Sequence, residues 1–148
     1  MSRSQPPRKA RNAKVFGAPI TPHMLAKLCD PVHKSMEALK QGSFTRFDDS
    51  VIASFLNLVC IASGNKRKVS DAGQIRELMR VITNVYQDIR NRYQTTDQWT
   101  TEDGELETIL TGIECAEDWL RRQSSSYIRA AIETLNAMAD QHQEEQAA

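Results

Sequence analysis

The sequence predicts an all-α fold, a bundle of four or five helices behind a mobile basic N-terminal arm. Three observations predict it. Apolar residues recur at spacings of three and four along successive stretches of the chain. Helix-capping residues (Thr, Asp, Ser, Gly) stand at the borders of those stretches. No run of four to eight residues alternates apolar and polar side chains between turn signals, so no strand is expected. With 148 residues, 40% of them hydrophobic, the chain is one domain's worth of material and can bury roughly two thirds of its unfolded surface.

Residues 1–20 have no periodicity, and the basic side chains Arg8, Lys9, Arg11 and Lys14 beside Pro6 and Pro7 read as a disordered arm. Val15-Phe16-Gly17 offers a docking point at its end. The single helical domain is expected over 21–142. Thr21 and Pro22 supply an N-cap and a first helical position, and Leu25, Leu28, Val32, Met36 and Leu39 form one buried face. Pro31 is expected to kink or restart that helix before Gly42 closes it. Asp48, Asp49 and Ser50 are candidate caps for a second helix from about 49 to 63, apolar around most of its circumference and therefore central.

Ser70 is expected to open a third helix, striped by Ile75, Met79, Ile82, Tyr86, Ile89 and Tyr93. Thr100 or Thr101 is expected to cap a fourth, with Leu106, Ile109, Ile113, Ala116 and Leu120 on its stripe. Ser124 to Ser126 either break the chain or only bend it before Ile128, Ala131, Ile132 and Leu135, because the periodicity nearly continues through them. Residues 143–148 read as a frayed tail.

The sequence holds no Gly-rich phosphate loop, nucleophile elbow or paired metal-binding histidine motif. Asp30, His33 and Glu37 share one helix face, yet no other histidine is placed to complete a metal site. Cys29, Cys60 and Cys115 lie far apart, without a C-x-x-C pair, and read as small apolar residues in a reducing compartment. The expectation is therefore a protein that is not an enzyme, with no catalytic residue, metal or cofactor. No apolar run approaches the roughly 20 residues a bilayer requires, and no apolar segment follows the first charges, so a cytoplasmic protein without a membrane partner is expected.

Charge is informative because it is segregated. The chain has 19 basic and 19 acidic residues; residues 1–40 hold eight bases against two acids, and residues 101–148 hold three against eleven. Acids on the late helices (Glu105, Glu114 and Glu117), with the flanking Trp99 and Trp119, are the candidate protein-binding residues, since aromatics concentrate binding energy at interfaces. The alternative is nucleic-acid contact by Arg8, Lys9, Arg11 and Lys14 of the arm with Lys66, Arg67 and Lys68 of the loop before the third helix.

Two segments resemble a loosely defined group of small proteins encoded by phages and prophages of Gram-negative bacteria. One is Pro7-Arg8-Lys9-Ala10-Arg11. The other is Arg92-Tyr93-Gln94-Thr95-Thr96-Asp97-Gln98-Trp99 followed by Glu105-Leu106, which looks like that group's T-G-x-W connection before an E-L-x-x-L helix start. Thr96 stands where the group usually carries glycine. The resemblance implies a mobile-element origin and a bacterial-host cytoplasm, and transfers no binding residue. The reading that follows is an interaction protein whose acidic helical face binds a host protein or nucleoprotein complex, as an inhibitor of a defence complex would. The alternatives are a small DNA-associated regulator and a binder of a small ligand or signal nucleotide; a homodimer through the last two helices is compatible with all three.

Overall fold

Thr21 opens the first helix, its Oγ1 accepting the Met24 amide at 3.1 Å. In the computed structural model, which describes residues 18–64 and 71–147, this helix is α1 (Pro22–Gln41). It runs through Pro31 without a break. Pro31 and Lys27 are both exposed, so the Lys27 carbonyl that loses its helical partner can bond to water. Gly42, at φ 80, then ends the helix by donating its amide back to the last turn.

α2 (Arg46–Ser63) begins three residues before the expected start. Its cap is Thr45 rather than the Asp48–Ser50 group. The Thr45 hydroxyl accepts from the Asp48 amide, and the Asp48 carboxylate accepts from the Thr45 amide at 2.9 Å. This reciprocal box satisfies two amides that an earlier turn of helix would leave unpaired. α3 (Ala72–Thr96) follows, flanked by Asp71 (φ 63) and Asp97 (φ 57). The left-handed residue that stops it is thus Asp97 and not Thr96, and Asp tolerates this conformation better than most side chains. α4 (Glu105–Arg121) begins after Gly104, so neither Thr100 nor Thr101 caps it.

The last two helices are separate. α5 (Ser125–Ala147) follows a break at 122–124. Here the chain bonds to a strand-like segment a hundred residues earlier: the Ile20 amide donates to the Gln123 carbonyl at 2.9 Å and the Ser125 amide to the Ala18 carbonyl at 3.0 Å. These bonds take the backbone groups a continuous helix would use internally. Ser124 then caps α5 by accepting the Tyr127 amide at 3.2 Å. Ala18–Ile20 therefore belong to the folded domain, with Ile20 5% exposed, and α5 continues beyond 142 to Ala147.

α2 is central as its composition requires, packing against α1, α3 and α5, while α4 closes the other side against α1 and α3. Its Ile52 and Val59 are wholly buried, among the side chains of a single core that includes Met36, Met79, Ile82, Ile113 and Leu120. Polar bonds fix how the helices sit on one another. Ser35 of α1 donates to Asp48 at 2.8 Å, and the Tyr86 hydroxyl of α3 donates to Asp49, which Arg90 also approaches at 3.3 Å.

Two ends of the bundle result. At the aromatic end, Trp99 stacks on Tyr93 with centroids 4.1 Å apart and meets the Phe44 ring edge-on at 4.9 Å. At the junction end, the chain pairing at 18–20 and 123–125 lies beside the Arg122–Asp71 ion pair of 3.4 Å. There the Tyr127 hydroxyl also bonds to the Ala62 carbonyl. That bond joins the start of α5 to the end of α2, and Ile132 and Leu135 lie among Ser50 to Leu58, so α5 runs antiparallel to α2. Among the described residues no helix is long and apolar enough to cross a membrane.

Candidate functional site

The five residues singled out for protein binding fall in different environments. Trp119 is wholly buried and corrects the expectation of a surface contact: it is among the largest side chains in the core. Its burial follows from α4 packing on both α1 and α3, which widens the buried arc beyond the stripe of Ile109, Ile113, Ala116 and Leu120 to include Gly112 and Trp119. Trp99 is half-buried and plugs the aromatic end, held on two sides by Tyr93 and Phe44.

Glu105 and Glu117 turn toward the protein. Arg92 of α3 forms an ion pair with Glu105, and a second contact of Arg92 reaches Glu102 at 3.4 Å. Glu117 meets His33 of α1 at 2.7 Å and Arg121 at 3.8 Å. These carboxylates tie α4 to its neighbours. Asp118 pairs with Arg121, while Arg122 lies past the helix end and reaches Asp71.

Glu114 is exposed, and it belongs to a row that the sequence reading did not assemble. Glu107, Thr111, Glu114 and Asp118 are all exposed on α4. At 100° per residue, Glu107, Glu114 and Asp118 fall within about 20° of one line running roughly 16 Å along the helix. Glu107 and Glu114 have no cation partner among the described residues. The signal is present in the sequence as spacings of seven and four between acids.

The nucleic-acid candidates Arg8, Lys9, Arg11, Lys14, Lys66, Arg67 and Lys68 lie outside the described residues, as do Val15 to Gly17. What is described is where their segments attach. Ala18 bonds to Ser125, and Gly64 and Asp71 flank the other segment beside Tyr127 and Arg122. Both basic stretches of sequence therefore join the bundle at its junction end.

No three His, Cys, Asp or Glu side chains converge on a common point among the described residues. Cys29 lies one turn from His33 but is 1% exposed, and burial, with the nearby Glu117 and Asp30 charges, pushes its thiol up to about 12. A thiol so poised does not act as a nucleophile near neutrality. The shift also fixes a pH dependence. The unfolded thiol ionises near 9.0 and the folded one does not, so its contribution to stability is complete below about pH 9 and falls as pH rises toward 12. Tyr86, raised by burial and then by its bond to Asp49, acts in the same direction from about pH 10. Urea melts at pH 8, 9 and 10 are expected to show falling stability, with a shallower fall in Cys29→Ala.

The surface also holds an apolar groove that the sequence did not reveal. Its floor is Val51, Phe55 and Leu58 of α2, its walls are Leu28 and Val32 of α1 and Ile132 and Leu135 of α5, and its cavity measures about 330 Å³. Lys27, Ser50 and Ser54 are the polar lining, a sparse set for fixing a small polar ligand. No protein-family model, curated protein or solved structure matches this chain.

Proposed function

We propose that the chain is a non-enzymatic interaction protein of phage origin whose acidic row on α4 binds a host protein or nucleoprotein complex. The observation that supports this most is the division of labour among the α4 acids. Glu105 and Glu117 hold the fold together, whereas Glu107 and Glu114 face solvent with no cation among the described residues. A straight row of fixed negative charge on a rigid helix complements a basic groove of the kind that receives nucleic acid. Such complementarity governs encounter rate and partner choice more than raw affinity.

The two sets of acids give separable expectations. E107Q/E114Q is expected to leave Tm unchanged and to reduce capture of a stoichiometric protein from nuclease-treated bacterial lysate severalfold. E105Q is expected to cost about 1–2 kcal/mol, through the lost charged bonds to Arg92, while leaving capture intact in the folded fraction. Equal capture by E107Q/E114Q and the parent chain contradicts the proposal.

A second reading, a DNA-associated regulator, draws support from the shared attachment of both basic segments at the junction end. It predicts binding to a labelled duplex that weakens steeply with added salt and disappears when residues 1–17 are removed. Undetectable or salt-independent duplex binding would rule it out.

A further inference from the structure

α5 outruns its support. Its apolar contacts with the bundle end at Leu135, and every residue from Asn136 to Ala147 is exposed, including Met138 at 56%. A helical segment of that length is marginal in water on its own. Its charge adds to the difficulty: Glu144 and Glu145 lie near the C-terminal end with no base in the last turn, against the helix dipole. Asp140, Glu144 and Glu145 meet no cation among the described residues. Beside this helix lies the open groove between α1 and α5, with Lys27 at its rim and no carboxylate paired with it among the described residues. A second cavity of about 510 Å³ undercuts the other flank of α5 at Leu135 and Met138.

We propose that this chain self-associates through α5, the second copy supplying what each copy lacks. In the pairing the two α5 helices run antiparallel across a two-fold axis near Leu135 and Met138. Each distal half lies along the other's groove, seating Met138 and Ala139 against the apolar floor. An antiparallel register centred there sets residues 140–145 of one copy opposite 128–133 of the other, the level at which Leu28, Leu58 and Ile132 line the groove. The acids at the helix tip thereby approach the partner's Lys27. Met138 and Ala139 ahead of an acidic tip, and an open apolar groove with Lys27 at its rim on the same chain, are self-complementary, as a two-fold contact requires, and symmetry makes each contact twice.

The size of the contact sets its strength. Twelve residues of helix are about 18 Å long and 10 Å wide. Two such footprints, counted on both surfaces, remove roughly 700 Å², below the 1,200 Å² of a standard interface. The dimer is therefore weak and transient.

Sedimentation of the full chain from about 1 to 200 μM tests this. The expected result is a concentration-dependent rise from 16.7 kDa to twice that mass. Met138→Glu and Lys27→Glu are each expected to raise Kd tenfold or more with unchanged helical content, since both side chains are exposed. Adding Glu144→Lys and Glu145→Lys to Lys27→Glu is expected to restore association. A chain that stays at single mass at 200 μM overturns the proposal, as does a dimer indifferent to Met138→Glu or one that the charge reversal fails to restore. The residues involved are not those of the acidic row on α4, so either proposal can fail alone.

Discussion

Trp119→Ala is expected to cost about 3–5 kcal/mol, the range for truncating a large aromatic side chain in a core. Trp119 is wholly buried on α4, with Leu120 beside it and Ala116 one turn away equally sealed. The indole cannot be replaced by inward movement of a neighbouring helix, because α4 is held at both ends: Arg92–Glu105 at one and His33–Glu117 toward the other. The space left would stay largely open, and the cost would include the lost contacts of its lining as well as the transfer of the ring. Domains of this kind have about 5–15 kcal/mol in total, so the variant is expected to be partly unfolded near 37 °C. Equilibrium urea denaturation at 25 °C measures the difference. A loss below about 1 kcal/mol would place Trp119 at the surface and contradict the packing described.

Gly112→Ala is expected to destabilise by about 1–3 kcal/mol, although alanine is by about 1 kcal/mol the better helix former. A Cβ at Gly112 would stand 1.6 Å from Cδ1 and 2.5 Å from Cγ1 of Ile82 on α3. Ile82 is itself 0% exposed, so its side chain cannot swing out into solvent to make room. The close approach of α3 and α4 at this point depends on the missing side chain. Ile82→Ala alone is expected to cost about 2–5 kcal/mol by opening a cavity. In that background Gly112→Ala should become neutral or stabilising, since the clashing atoms are gone and the added methyl refills part of the space. A double-mutant cycle by urea denaturation checks the change of sign; additive losses would contradict it.

These two positions also explain what the sequence did and did not make legible. The stripes of the first and third helices predicted their core faces well, because Leu25, Val32, Met36, Met79, Ile82 and Tyr86 all recur at helical spacing and all are buried. On α4 the stripe was read too narrowly. The second buried row contains Gly112, which carries no hydrophobic signal, so Trp119 looked like an edge residue. The cap of α2 was readable in principle from Thr45 and Asp48, a spacing that the later Asp48–Ser50 cluster obscured.

Other features depend on partners distant in sequence. Nothing local to Ser124 shows that Ala18–Ile20 will bond across it and separate α4 from α5. Nor does the spacing of Glu117 and Arg121, which suggests a surface pair, show that His33 will draw Glu117 toward α1. The candidate acidic face was thus legible as charge. Which of its members faced outward was decided by tertiary contacts.

The proposed role of the acidic row is tested most directly by kinetics. With a captured partner in hand, its association rate constant would be measured for the parent chain and for E107Q/E114Q across ionic strengths from about 0.05 to 0.5 M, over which charge screening steepens strongly. A rate that falls markedly with salt in the parent, and that is slower and flatter in the variant, is the predicted result. Rates that are independent of salt, or the same for both proteins, would contradict recognition through Glu107 and Glu114.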